Sequence, residues 1–74
     1  MAGWGDDPVL DELRSLIYEH GWKPVRATIG SGIGATDSVV VRSGSGETRE
    51  LTSDHIAFHR FVEGLREDDP RLPT

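Results

Sequence analysis

The clearest pattern of apolar and polar positions runs through the last third of the chain, over residues 51–67. Apolar side chains recur there three and four positions apart, which places them on one face of a helix. They are Ala57, Phe58, Phe61, Val62 and Leu65. We expect this helix to begin after Thr52 as its N-cap, with Leu51 and Ile56 in contact as a hydrophobic staple. The pattern predicts an amphipathic helix that covers a sheet.

A second helical pattern lies near the start of the chain. Asp7 is a favourable N-cap, Pro8 suits the first helical position, and Gly21 can end the helix in a left-handed conformation. The apolar positions between them fall within an arc of about 120° on a helix. They are Val9, Leu10, Leu13, Leu16 and Ile17.

Three strands are predicted between the helices, over residues 22–29, 36–42 and 47–51. The middle segment contains three consecutive valines and is apolar at odd and even positions, which is typical of a central strand. The expected fold is an α+β domain in the order helix, three-stranded antiparallel meander, helix, with both helices on one face of the sheet. The expected division is a flexible N-terminus (1–6), a single domain (7–67) and a polar tail (68–74).

Alternation along the strands assigns candidate binding residues to the sheet face turned away from the helices. In the first strand, Val25, Ala27 and Ile29 are expected to face the helices. The residues expected on the outer face are Arg26, Thr28, Val40 and Arg42, with Arg49 added if the register of the third strand allows. A small open sheet with arginines and an exposed valine suits protein binding. A merely solvated face is the alternative.

Composition limits the possible chemistry. The chain has 74 residues and no cysteine, so we expect one small domain without disulfides or thiolate metal sites. We find no secretory signal pattern and no run of about 20 apolar residues, so we expect a cytoplasmic protein without membrane contact. The net charge of −5 disfavours direct nucleic-acid binding, because phosphates would be repelled.

Two histidines raise the question of a metal site. His55, His59 and Glu63 lie four positions apart, so on a helix they would form one line of possible ligands. The motif HIAFH lacks the glutamate that follows the first histidine of helical zinc proteases. We therefore expect no metal or other cofactor. The polar edge of His55, His59 and Arg60 is instead a second candidate contact with another protein.

Residues 30–35, GSGIGA, match a loose dinucleotide-binding pattern. That pattern requires a helix to follow, whereas here a strand is predicted. We interpret residues 30–34 as a connection between strands, and as a possible contact site. The sequence has no nucleophile elbow, no Walker loop and no serine with an evident base, so an enzyme is not expected.

The order helix, three strands, helix, with an HGW segment at residues 20–22, resembles the double-stranded-RNA-binding domain. In that family the second helix begins with a lysine cluster that grips phosphates. Here the corresponding segment is Thr52-Ser53-Asp54-His55. The resemblance therefore implies the fold and does not extend to RNA binding.

Residues 39–65 are similar to the C-terminal half of the small actinobacterial regulators related to BldB. The matching positions are Val39, Val41, Arg42, Leu51, Thr52, Phe58, Phe61, Val62, Gly64 and Leu65. The family's N-terminal tryptophan-lysine-serine segment and its cysteine strand are not matched. This resemblance implies a non-enzymatic partner of a helix-turn-helix regulator.

The predicted function is a non-catalytic interaction module that modulates another protein, as small prokaryotic or phage regulators do. The partner would be a helix-turn-helix regulator or a nucleic-acid-processing complex. The competing hypothesis is an acidic nucleic-acid mimic that inhibits a nucleic-acid-binding or guided-nuclease protein, because residues 1–21 carry five acidic residues against one arginine. It assigns the contacts to Asp11, Glu12 and Glu19. A histidine-based metal-binding domain is the third hypothesis.

Overall fold

The computed structural model describes residues 7–30 and 35–69. Its elements are helix α1 (Pro8–Arg14), a π-helical turn (Ser15–Glu19), strands β1 (Lys23–Thr28), β2 (Asp37–Arg42) and β3 (Thr48–Ser53), and helix α2 (Ile56–Asp68). The predicted order and the α+β class are confirmed. The N-terminus expected to be flexible (1–6), most of the glycine connection (31–34) and the end of the expected tail (70–74) lie outside the described residues.

The three strands form one antiparallel sheet with β2 in the centre, as its run of valines predicts. Alternate residues of β2 are buried, namely Asp37, Val39 and Val41, so these side chains define an inner face of the sheet. The residues between them, Ser38 and Val40, belong to the outer face. A strand that is apolar on both faces thus has one face in the core and one outside it.

Both helices lie against the inner face. Helix α1 is adjacent to β3, and α2 is adjacent to β2 and β1. The buried core consists of Leu10, Leu13, Leu16, Ala27, Val39, Val41, Leu51, Phe58 and Val62. Phe58 and Val62 come from the predicted apolar stripe of α2 and have no exposed surface. Neither helix in the described part of the chain is long and apolar enough to span a membrane.

The end of the first helical segment differs from a regular α-helix. The His20 amide donates to the Ser15 carbonyl at 3.1 Å, and the Trp22 amide donates to the Leu16 carbonyl at 2.9 Å. The first of these bonds has the wider spacing of a π-turn. Gly21 follows with φ of +74°, and this left-handed residue ends the helix as predicted.

The N-termini of the two helices are tied together at the end of β3. Asp7 caps α1 as predicted, since its Oδ1 accepts from the Val9 amide at 3.3 Å. The Ser53 hydroxyl donates to Asp7 Oδ2 at 2.8 Å and accepts from the His55 amide at 3.1 Å. His55 in turn caps α2, because its Nδ1 accepts from the Ala57 amide at 3.0 Å.

The predicted start of α2 is therefore wrong by three residues. Thr52 pairs with Ser38 in the sheet, so it continues β3 and is not an N-cap. With His55 as the N-cap, Leu51 and Ile56 no longer occupy the two positions of a hydrophobic staple, and Ile56 is 52% exposed. The ladder with β2 holds the backbone extended through Ser53, and His55 takes over the capping role.

We predict opposite effects on stability for two glycine-to-alanine substitutions. A Cβ at Gly30 would lie 2.4 Å from the Thr36 carbonyl oxygen, so Gly30→Ala should lower the free energy of unfolding by about 1–3 kcal/mol. A Cβ at Gly64, inside α2, meets nothing within 4 Å, and Gly64→Ala should raise it by about 0.5–1 kcal/mol.

Urea unfolding followed by circular dichroism would measure both changes. Gly64→Ala serves as the matched control, since it adds the same methyl group in open space. Equal stability of Gly30→Ala and the wild type would contradict the close approach of residues 30 and 36.

Candidate functional site

The outer face of the sheet is the first candidate site, and cross-strand pairing defines it in three rows. The middle row is Arg26, Val40 and Glu50. The row on one side is Thr28, Ser38 and Thr52, and the row at the hairpin end is Lys23, Arg42 and Thr48. The four residues expected there, Arg26, Thr28, Val40 and Arg42, are thus on one face. Neither helix covers them.

A β-bulge in β1 changes this face. Pro24 pairs with Val41 and Arg26 pairs with Val40, so Val25 is an extra residue in the ladder. The prediction that Val25 faces the helices together with Ala27 and Ile29 is wrong for Val25, which is 37% exposed. Bulges re-aim side chains and are frequent next to functional sites. Here the bulge adds an apolar side chain to the outer surface.

Arg49 is not on the outer face. It pairs with Val41, whose side chain is buried under the helices, so the register places Arg49 on the inner side near the edge of the sheet. Its guanidinium contacts Glu12 of α1 at 2.5 Å and lies 5.9 Å from the centre of the Trp22 ring. These contacts give Arg49 a structural role in attaching α1 to β3.

Three basic side chains of the outer face are free of such contacts. Within residues 7–30 and 35–69, Lys23, Arg26 and Arg42 form no ion pair and no side-chain hydrogen bond. Lys23 stands directly opposite Arg42 in the β1–β2 ladder. Like charges in that position destabilise a sheet, so the pair does not stabilise the fold.

A groove adjoins this pair at the hairpin end of the sheet. It has a volume of about 240 Å³ and is lined by Gly21, Lys23, Val25, Arg42, Ser43 and Gly44. Sequence reasoning missed Lys23 and Val25. Strict alternation places both of them on the helix side with Ala27, and the bulge between Pro24 and Arg26 brings them to the outer face. Pro24 is the sequence signal for this irregularity, since proline in a strand is found at edges, strand starts and bulges.

The second candidate cluster lies on the helix side of the sheet, around the buried Asp37. Its Oδ1 accepts from the Gly30 amide at 2.8 Å, and its Oδ2 lies 2.6 Å from His59 Nδ1. Because a carboxylate only accepts, His59 donates from Nδ1. His59 Nε2 then faces Glu63 Oε2 at 3.4 Å. This arrangement clamps α2 to the start of β2 and to the segment after β1.

His55, His59 and Glu63 do not form the line of metal ligands that their spacing allows on a helix. His55 lies outside the helix and uses Nδ1 in the cap, while His59 and Glu63 contact each other. No group of three possible metal ligands converges among residues 7–30 and 35–69. Of the predicted polar edge, His55 and His59 are half-buried in these internal contacts, and Arg60 is exposed.

A larger groove of about 340 Å³ lies beside this cluster. It is lined by Ile29, Glu63, Arg66 and Glu67. Its described lining holds one cation and two acids, all from α2, so it has no excess of positive charge. Among the residues that the structure describes, the groove at the hairpin end has two cations and no acid in its lining, so it carries the stronger positive charge.

Comparison of the chain with protein-family models, with characterised proteins and with solved structures gave no match. The functional assignment therefore depends on the chemistry of the two surfaces described above.

We predict that Asp37 is a major stabilising residue. Asp37→Ala would leave the Gly30 amide and His59 without their acceptor, and an unsatisfied buried donor costs about 1–3 kcal/mol. Asp37→Asn should cost less, because an amide oxygen can still accept one of the two hydrogen bonds.

Urea unfolding at neutral pH would measure these losses. Asp68→Ala, which removes an exposed carboxylate at the end of α2, is the control and should change stability by less than about 0.5 kcal/mol. If Asp37→Ala lowered the free energy of unfolding no more than the control does, the contacts of Asp37 with Gly30 and His59 would not stabilise the fold.

Proposed function

We propose that the protein is a non-catalytic interaction module that modulates a partner protein through the outer face of its sheet. The observation that carries the proposal is that both helices occupy the inner face, which leaves Arg26, Thr28, Val40 and Arg42 outside the core. Such a face combines apolar side chains with arginine, a residue enriched at protein interfaces. A helix-turn-helix regulator or a nucleic-acid-processing complex is the class of partner proposed.

The mixed character of the face favours a protein over a nucleic acid. Val25 and Val40 supply apolar surface, and Glu50 stands in the middle row with Arg26. A phosphate backbone would meet that carboxylate and the field of a chain with net charge −5. A protein partner can match both the apolar and the charged positions.

The proposal leaves the helix edge aside. His55 caps α2 and His59 binds Asp37, so both imidazoles contribute to the fold. They also lie on the helix side, opposite the outer face. Arg60 is exposed, but it belongs to a different surface from the outer face.

The nucleic-acid mimic is the second candidate, because Asp11, Glu12 and Glu19 are all exposed. Two of these carboxylates are already engaged: Glu12 pairs with Arg49, and Glu19 accepts from the Ser15 hydroxyl. Over the described ranges, only the charge of Glu12 is compensated by a cation at short range. This hypothesis predicts that DNA or RNA competes with the chain for the partner. It also predicts that neutralising these three acids abolishes inhibition of the partner.

The absence of cysteine allows a direct test with single-cysteine variants. Thr28→Cys places one thiol on the outer face, and Arg14→Cys places one on the exposed side of α1. Benzophenone-maleimide on each thiol would cross-link bound proteins in the cells that naturally express the chain. We expect a specific product from position 28 only.

The protein identified in the cross-linked product is then purified. Its affinity for the chain is measured after the same thiols have been coupled to polyethylene glycol. Bulk on the outer face should weaken binding at least about tenfold, whereas bulk on α1 should change it little. Unlabelled Thr28→Cys controls for the substitution itself. Equal loss from both positions, or loss from position 14 alone, would refute the outer-face assignment.

A further inference from the structure

We infer that the groove at the hairpin end of the outer face recognises carboxylate side chains in an acidic segment of the partner protein. The inference rests on the proposed function and specifies its partner chemistry. The groove is the one lined by Gly21, Lys23, Val25, Arg42, Ser43 and Gly44.

The first reason is the uncompensated charge of Lys23 and Arg42. They stand directly opposite each other across β1 and β2, and neither has an acidic partner within the described ranges 7–30 and 35–69. Such a pair repels itself in the free protein. A carboxylate placed between the two side chains removes that repulsion and gains two charge-assisted hydrogen bonds.

The second reason is that Lys23 and Arg42 lack the internal partners that Arg49 has. Arg49 is also an exposed arginine of the sheet, yet it is satisfied by Glu12 and lies near Trp22. Arg26 adds a third unpaired cation on the same face, in the neighbouring row. An otherwise acidic chain thus places three cations without a partner among the described residues in two adjacent rows of one face, where they attract acidic groups.

The third reason is the shape and apolar content of the groove. The bulge turns Val25 into the lining beside Lys23 and Arg42, so an aliphatic stem can pack there while its carboxylate reaches the cations. A Cβ at Gly21 or Gly44 would meet nothing within 4 Å, so a peptide backbone can approach closely at both positions. The Ser43 hydroxyl is engaged with Ser45 and the Glu47 amide, so recognition is assigned to the two basic side chains.

A volume of about 240 Å³ accommodates one or two side chains of an extended peptide. A nucleic-acid backbone would extend beyond it onto the middle row, where it meets Glu50. An acidic protein segment is therefore the occupant that the observations favour.

The test uses the purified full chain and a hexaglutamate peptide as the probe. In two-dimensional NMR spectra, millimolar peptide should shift the amide signals of the groove, above all those of Lys23, Val25 and Arg42. The shifts should shrink at high salt, since surface charges are then screened. Hexaglutamine should leave these signals in place. Equal shifts with hexaglutamine would overturn the charge-based recognition.

The variant Lys23→Gln/Arg42→Gln should bind hexaglutamate at least about tenfold more weakly. The control Arg14→Gln/Arg66→Gln removes the same charge from the helices and should retain binding. Because the first variant relieves a repulsion, it should unfold at no lower urea concentration than the wild type. The single substitution Lys23→Gln, expected to weaken binding severalfold, covers the case in which the double variant is unstable.

Three results would overturn the inference. One is unchanged hexaglutamate binding by the Lys23→Gln/Arg42→Gln variant. Another is stronger binding of a DNA oligonucleotide or inorganic phosphate to the same amides, which would assign the groove to phosphate. The third is self-association, seen by sedimentation equilibrium and lost in that variant, which would assign the groove to a second copy of this chain.

Failure of the inference differs from failure of the proposed function. If polyethylene glycol at Thr28→Cys blocks the purified partner but Lys23→Gln/Arg42→Gln does not weaken it, only the acidic recognition is wrong. If polyethylene glycol at Thr28→Cys has no effect on the partner, the outer face itself is not the binding surface.

Discussion

One core layer is all that this chain can build, and the rest of the structure follows from that constraint. The nine buried apolar side chains of the described residues form a single cluster between the helices and the inner face of the sheet. A domain of this size has too little apolar surface for a second layer. Within the described part of the chain, the other face of the sheet therefore carries side chains that tolerate water, and neither helix covers it.

Two polar contacts at the core boundary connect the helices to the sheet. Asp37 joins α2 to the segment before β2 through His59 and Gly30. Arg49 joins α1 to β3 through Glu12. Both contacts link residues distant in sequence, and they use Arg49 and His59, which the sequence interpretation assigned to partner binding. Their importance becomes visible only when the elements are packed.

Local patterns predicted what depends on local physics. The Asp7 cap, the glycine at the end of the first helical segment, the apolar stripe with Phe58 and Val62, and the central position of β2 are confirmed because neighbouring residues determine them. The same patterns failed where a cross-strand partner decides. The register of β3 does not meet the condition on which Arg49 was placed on the outer face, and the extra ladder residue exposes Val25.

The prediction of where α2 begins was wrong for the same reason. Thr52 is a good capping residue in isolation, but pairing with Ser38 keeps it in the strand. Part of the candidate site was thus predictable, since alternation places four residues on the outer face, namely Arg26, Thr28, Val40 and Arg42. Lys23 and Val25 require the bulge, which depends on long-range pairing. The π-helical turn at Ser15–Glu19 has no sequence signal that we can identify.

The hydroxyl of Ser53 has a consequence for how the domain opens. It donates to the residue that caps α1 and accepts from the backbone of the residue that caps α2. Neither helix can fray at its first turn without loosening a contact that the other shares. Local opening at this corner should accordingly involve both helices as one cooperative unit. Amide hydrogen exchange would then report a single opening event for the first turns of α1 and α2.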